Sequence, residues 1–166
     1  KDVSGDILYV TRSPFLVQNA RDLYYASGYS NDEQNVDFLS FREYLESIHV
    51  PDGKEIAPRV FAGWAARQRL PRELKDSHRL FEEFQGAITG TEAESAYLSR
   101  AAYLALGVRQ SIYGPETRDA VYDLFDKYLR FLDEQGWFDP NIVSHAWLER
   151  VEPRFDFVVV DEVQDL

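Results

Sequence analysis

Cysteine and methionine are both missing from this sequence. Without thiols there is no disulfide and no thiolate metal site, so a disulfide-stapled or zinc-finger chain is excluded. Histidine is nearly as scarce. His49, His78 and His145 stand far apart without ligand spacing and read as ordinary surface or core residues. No apolar run approaches the roughly 20 residues that span a bilayer, and the N-terminus lacks the layout of a signal peptide. The expectation is a soluble, cytoplasmic chain with no membrane contact. The lack of any methionine, initiator included, reads as an internal fragment of a longer protein.

Positive charge is also in short supply, with 18 Lys and Arg against 29 Asp and Glu for a net charge of −11. A protein whose whole task is to neutralise phosphates carries the opposite sign, so any nucleic-acid contact must use a local patch. One stretch supplies it. From Arg59 to Arg79 six bases stand against Glu73 and Asp76, making this segment +4 and the remainder −15. Arg67, Arg69 and Arg72 are the candidates there for contact with a phosphate backbone. The competing reading is a pair of solvated amphipathic helices, and Trp64 reads as a core residue rather than a base-stacking platform.

What the sequence does have is a folded protein's share of apolar residues, 45%, with 14% aromatic, over 166 residues. That suffices for one domain or a piece of a larger one. Its most specific stretch is the C-terminal FDFVVVDEVQDL. Phe157, Val158, Val159 and Val160 form an unbroken run of β-formers, which predicts a strand buried on both faces rather than a sheet edge. The run stops at Asp161 and Glu162, followed by Gln164 and Asp165. In parallel sheets ligands bind beyond the carboxyl ends of strands. Acids there suit phosphoryl transfer, one carboxylate holding Mg²⁺ and its neighbour orienting or deprotonating the attacking water. A solvated acidic loop is the alternative.

Earlier in the chain, Ile7–Thr11 predicts a strand. Ser13-Pro14 then opens a helix carrying Leu16, Ala20, Leu23 and Ser27 on one face, with Gly28 to end it. Val36–Leu39 reads as extended, and Ser40 with Glu43 forms a capping box for a helix reaching about Ile48. Buried parallel strands with so few partners leave ladder groups unpaired, so the sheet reads as cut from a larger one.

The turn-rich Val50–Lys54 marks a boundary, beyond which the pattern is helical. Residues 58–70 carry Phe61, Trp64, Ala65 and Gln68 at helical spacing. Pro71 opens a helix containing Leu74, Leu80, Phe81 and Phe84. Thr91 with Glu94 caps another, carrying Tyr97, Ala101 and Leu104 and stopping at Gly107. Gly114-Pro115 opens the longest, Glu116–Gln135, with Gly136 as its stop. Asp139-Pro140 begins a last helix through Glu149, and Pro153 precedes the final strand. The predicted division is 1–50, a helical insertion over 51–112, and 113–166.

The four apolar residues and the DEVQD after them resemble motif II, DExQD, of the Rep/UvrD-type superfamily 1 DNA helicases. Ile7-Leu8-Tyr9-Val10-Thr11 resembles that family's motif Ia, with Val10 in place of an aromatic residue. Asp37-Phe38-Leu39-Ser40-Phe41 resembles its TFHSL element, keeping Phe38 and Ser40 but losing the Thr and the His. The stretch from Val121 to Asp165 is similar to the family in the order and spacing of helix, Gly-aromatic-Asp turn, shorter helix and strand.

The resemblance implies an α/β fold, helix-rich overall: a partial RecA-like parallel sheet of two or three strands with a predominantly helical inserted subdomain. The implied activity is ATP hydrolysis coupled to movement on single-stranded DNA and unwinding of duplex. Asp161 would hold Mg²⁺ and Glu162 would act as general base. Gln164 with Asp165 would relay nucleotide state, and Thr11, Arg12, Ser13, Phe38 and Ser40 would approach the DNA strand. The remaining partners would be the rest of the motor, its phosphate-binding loop and second RecA-like domain. No GxxxxGK[ST] loop occurs in the chain, so the expectation is that these residues alone do not hydrolyse ATP or unwind DNA. An RNA helicase, the motor of a helicase-nuclease, and a non-catalytic helical interaction module are the competing readings.

Overall fold

The computed structural model describes residues 4–28, 31–90 and 95–162. The chain divides into two compact units, Lys1–Val50 with Arg150–Leu166, and Pro51–Glu149. The fold is α/β and helix-rich, with a small parallel sheet.

The first unit holds strand β1 (Gly5–Thr11), helix α1 (Pro14–Ala26), strand β2 (Gln34–Ser40) and helix α2 (Phe41–Ile48). A last strand, Phe157–Val160, completes a three-stranded sheet in which β1 lies centrally between β2 and that strand, every pairing parallel. Crossover connections are what parallel pairing demands, since a hairpin reverses the chain direction and joins only antiparallel strands. Leu8, Val10 and Phe38 are buried, as period-2 alternation places them. The capping box forms: Glu43 N–H donates to Ser40 Oγ at 3.2 Å, and Ser40 N–H donates to Glu43 Oε2 at 2.7 Å. Ser13 occupies the N-cap of α1 with Pro14 behind it, but its side chain makes no capping hydrogen bond.

Two expectations in this unit are corrected. No residue of the stripe expected on α1 is buried: Leu16, Leu23 and Ser27 are exposed and Ala20 is half-buried, and the residue that the helix buries is Val17, outside that stripe. The final strand is not buried on both faces: it lies at a sheet edge, and Phe157 to Val160 are 42% to 56% exposed. It has one neighbour instead of two, and with successive side chains on opposite faces all exposed, neither face is covered.

The second unit begins with a two-residue strand β3 (Lys54–Glu55) and helix α3 (Pro58–Ala65), followed by a 3₁₀ turn (Arg72–Leu74) and helix α4 (Ser77–Glu83). Later in the chain come a π-helical turn (Phe84–Ile88), helix α5 (Arg100–Leu104), helix α6 (Pro115–Gln135), a second two-residue strand β4 (Trp137–Phe138) and helix α7 (Pro140–Arg150). The closing strand of the first unit is then β5 (Phe157–Val160).

The aromatic core of this unit gathers Phe61, Trp64, Phe84, Phe125 and Tyr128. Val121, Tyr122, Leu124, Phe125, Tyr128 and Leu132 of α6 all belong to it. The boundary predicted at 112–113 is therefore corrected: the broad apolar face of α6 is satisfied by the inserted helices, and the sheet-bearing unit resumes at Arg150. Two predicted helices are shorter than their periodicity suggested. The helix over 58–70 ends at Ala65, where Arg67 N–H and Gln68 N–H donate to Trp64 O and Ala65 O in a tightened last turn. The helix from Pro71 gives way to a 3₁₀ turn, because Asp76 starts a new helix by accepting from the N–H groups of His78 and Arg79. Thr91 and Glu94 lie outside the described residues. The helix expected after them starts from Ser99, whose Oγ accepts from Ala102 N–H at 3.2 Å, leaving Tyr97 before it.

Pairing of β3 with β4 had no signal in the sequence. It rests on two glycines. Gly136 ends α6 at φ +61, and its carbonyl accepts from Lys54 N–H at 3.1 Å. Gly53 approaches so closely that a Cβ there would lie 2.3 Å from the same carbonyl oxygen.

Candidate functional site

Because β1, β2 and β5 are parallel, their carboxyl ends share one edge of the sheet, with Thr11 paired to Ser40 and Val10 to Val160. The ladder extends past β5, as Asp161 N–H donates to Val10 O at 2.9 Å. This fixes where the first acid of the DEVQD string stands. Asp161 is half-buried beside the end of β1, whereas Glu162 is exposed. Glu162 has φ +55, a left-handed conformation unusual for a residue with a Cβ; such backbone costs about 1–3 kcal/mol and tends to mark functional sites.

Tyr9 completes this edge, and the sequence reading missed it as a site residue. It pairs with Val159 in register, so its side chain shares a face with Asp161, two residues on from Val159 and just past the end of β5. Its phenol donates to Asp161 Oδ2 at 2.6 Å. Burial, then the bond to Asp161, then the charges of Asp161 and Glu162 push the phenol up to about 12 from its usual 10.0. The only signal that could have found Tyr9 is strand register, which one sequence does not specify.

The expected nucleic-acid contacts fare unevenly. Thr11, Phe38 and Ser40 are buried, so in this structure they present no side chain to a strand outside. Phe38 and Ser40 have structural roles there. Phe38 packs against Tyr9 and Tyr24 at ring-centroid distances of 5.6 and 5.5 Å. Ser40 Oγ is used by the capping box. Thr11 Oγ1 is buried with no hydrogen-bond partner. Arg12 is exposed and Ser13 partly so, and both follow β1 at the edge where Asp161 stands. Gln164 and Asp165 lie outside the described residues.

Arg67, Arg69 and Arg72 belong to the other unit and are exposed. Arg67 lines a groove with Lys127 and Arg130 of α6, which Arg69 and Arg72 do not line. Arg79, counted in the same basic stretch, instead sits 5.7 Å from the centre of the Tyr113 ring. Trp64 is a core residue, as predicted.

The donors at the sheet edge fit a hard cation of the Mg²⁺ kind. Such an ion needs only one or two carboxylates, the rest of its shell being water and substrate phosphate. Asp161 offers Oδ1 while Oδ2 is held by Tyr9. Among the described residues no group of three or more His, Cys, Asp or Glu could cage a metal by itself. Among the same residues no helix is long and apolar enough to cross a membrane. Comparison of the chain with protein-family models, with curated proteins and with solved structures finds no match in any of the three.

Proposed function

We propose that this chain is part of the first motor domain of an ATP-dependent DNA helicase or translocase of the Rep/UvrD type. The observation that carries the reading is Asp161, the first acid of DEVQD, standing at the carboxyl edge of a parallel sheet with its backbone still in the ladder. The uncovered faces and open edge of β5 are those of a strand in the middle of a wider sheet. That supports a larger domain around it.

In this reading Asp161 holds Mg²⁺, which supplies charge neutralisation at the phosphates of ATP. Tyr9 fixes one Asp161 oxygen and leaves the other for the ion. Glu162 accepts a proton from the attacking water, and its exposure beyond the strand leaves it accessible to that water. Gln164 and Asp165 carry nucleotide state toward DNA, with single-stranded and duplex DNA as partners and Arg12 at the same edge. No residue of the chain supplies the phosphate-cradling GK[ST] loop. ATP turnover therefore requires the rest of the motor.

The test is DNA-stimulated ATP hydrolysis by a polypeptide in which a GK[ST] loop precedes this chain. Glu162→Gln is expected to lower kcat by roughly 100-fold or more, the scale of a lost general base, while ATP still binds. Turnover of Glu162→Gln within about twofold of the parent would defeat the proposal.

A further inference from the structure

The longest helix of the second unit carries its charges on two contrasting faces. On one, Asp119, Asp123 and Asp126 all pair with Arg100 at 2.7 Å. On the other, Lys127 and Arg130 stand one turn apart, and like charges at that spacing repel. Among the described residues neither makes an ion pair or a side-chain hydrogen bond, and nor does Arg67, which lines with them a groove of about 400 Å³. In a chain with 29 acids to 18 bases, this concavity gathers three cations that no described carboxylate pairs.

The floor of the groove is firm. Trp64 is buried, with its ring centroid 5.5 Å from Tyr128 and stacked on Phe131 at 5.8 Å. Glu134 is the one carboxylate among the described residues lining it. Three cations and one carboxylate leave the lining at +2, which matches the charge of roughly −1.5 to −2 on a phosphate monoester near neutral pH better than a carboxylate or a single phosphodiester. Arginine forks suit phosphate oxygens, and the groove's volume is that of a small-molecule site.

We infer that the groove formed by Arg67, Lys127 and Arg130 over Trp64 and Phe131 binds a phosphate monoester, either of a free nucleotide or at the end of an oligonucleotide. This does not depend on the motor reading, which concerns the other unit.

Calorimetric titration of the 166-residue chain with AMP, adenosine, inorganic phosphate, and a short oligothymidylate with or without a 5′-phosphate tests it. AMP is expected to bind at least about tenfold tighter than adenosine and to be displaced by inorganic phosphate. Arg67→Gln and Arg130→Gln should each weaken AMP about fivefold or more, and Arg59→Gln, outside the groove, less than about twofold. All three sites are exposed, and unchanged circular dichroism confirms that the variants fold. A gain in oligonucleotide affinity with the 5′-phosphate identifies a strand end as ligand; AMP binding without that gain identifies a free nucleotide. Equal affinity for AMP and adenosine overturns the inference. So does absence of AMP binding at millimolar concentration, AMP affinity unchanged in both groove variants, or an oligonucleotide that binds alike with and without its phosphate while AMP does not bind.

Discussion

The phenol of Tyr9, near the end of β1, donates a 2.6 Å hydrogen bond to Oδ2 of Asp161, the first residue beyond β5. Neither residue alone defines a site. Together they fix a carboxylate at the carboxyl edge of the sheet, because burial and the acidic neighbours keep the phenol protonated. A neutral donor restrains the carboxylate without cancelling its charge, which a lysine in the same place would do.

That relationship predicts an alkaline titration. The difference spectrum between the parent and Tyr9→Phe should show one phenol ionising near 12. Asp161→Asn should bring it down, although burial, the largest cause, remains. The folded value lies above the ordinary one, so the stabilisation is complete below pH 10.0 and lost as the pH rises toward 12. Unfolding measured across that window should be less pH-dependent for Tyr9→Phe than for the parent. A Tyr9 phenol titrating at its ordinary value would show that the bond is not populated in solution.

The carboxyl edge was legible because two local signals coincide there: a run of β-formers and an abrupt switch to acids. The capping box of α2 was legible for a similar reason, since Ser40 and Glu43 contact each other within one turn. What surrounds those elements was not. A run such as Phe157–Val160 announces a strand, but whether its faces are covered depends on neighbours it does not encode. The stripe on α6 announces burial without naming its partner, and its partners are Phe61, Trp64 and Phe84 rather than the sheet. The β3–β4 pair is too short to carry any periodicity.

The capping box gives a second prediction. Ser40→Ala should destabilise the first unit by about 1 kcal/mol, the usual cost of a lost N-cap. The backbone N–H of Ser40, followed by its hydroxyl, holds the Glu43 carboxyl below its ordinary 4.5. That contribution is present above pH 4.5 and is lost as the pH falls through the lowered value. Urea unfolding near neutrality and in acid should therefore show the parent losing more of its stability on acidification than Glu43→Gln. Equal losses would mean that the box contributes nothing in solution.

Arg118 is buried in the second unit, and its guanidinium donates to carbonyls rather than to a carboxylate. Nε reaches Tyr113 O and Nη2 reaches Gly107 O, each at 3.1 Å, while Nη1 bonds Leu106 O. One side chain thus pins the segment leading into α6. Arg118→Met keeps the bulk but leaves those carbonyls without their donor, for an expected loss of about 3 kcal/mol. Hydrogen exchange should show the amides of residues 104–113 losing protection together. A variant as stable as the parent would mean that the segment holds its path without the clasp.

Val158 is the most exposed residue of β5, at 56%. A strand interior normally rejects a charge, because burying an unpaired ammonium costs several kcal/mol. Here both faces are open, so Val158→Lys should change the unfolding free energy by less than about 0.5 kcal/mol, as surface substitutions do. The same change should reduce self-association, because an apolar strand with an open edge is a template for pairing and lysine blunts it. Sedimentation of the parent and the variant over a range of concentrations measures the second effect, and chemical unfolding the first. A loss above about 2 kcal/mol would mean that β5 is covered in solution, and the open edge from which a wider sheet is argued would then not exist.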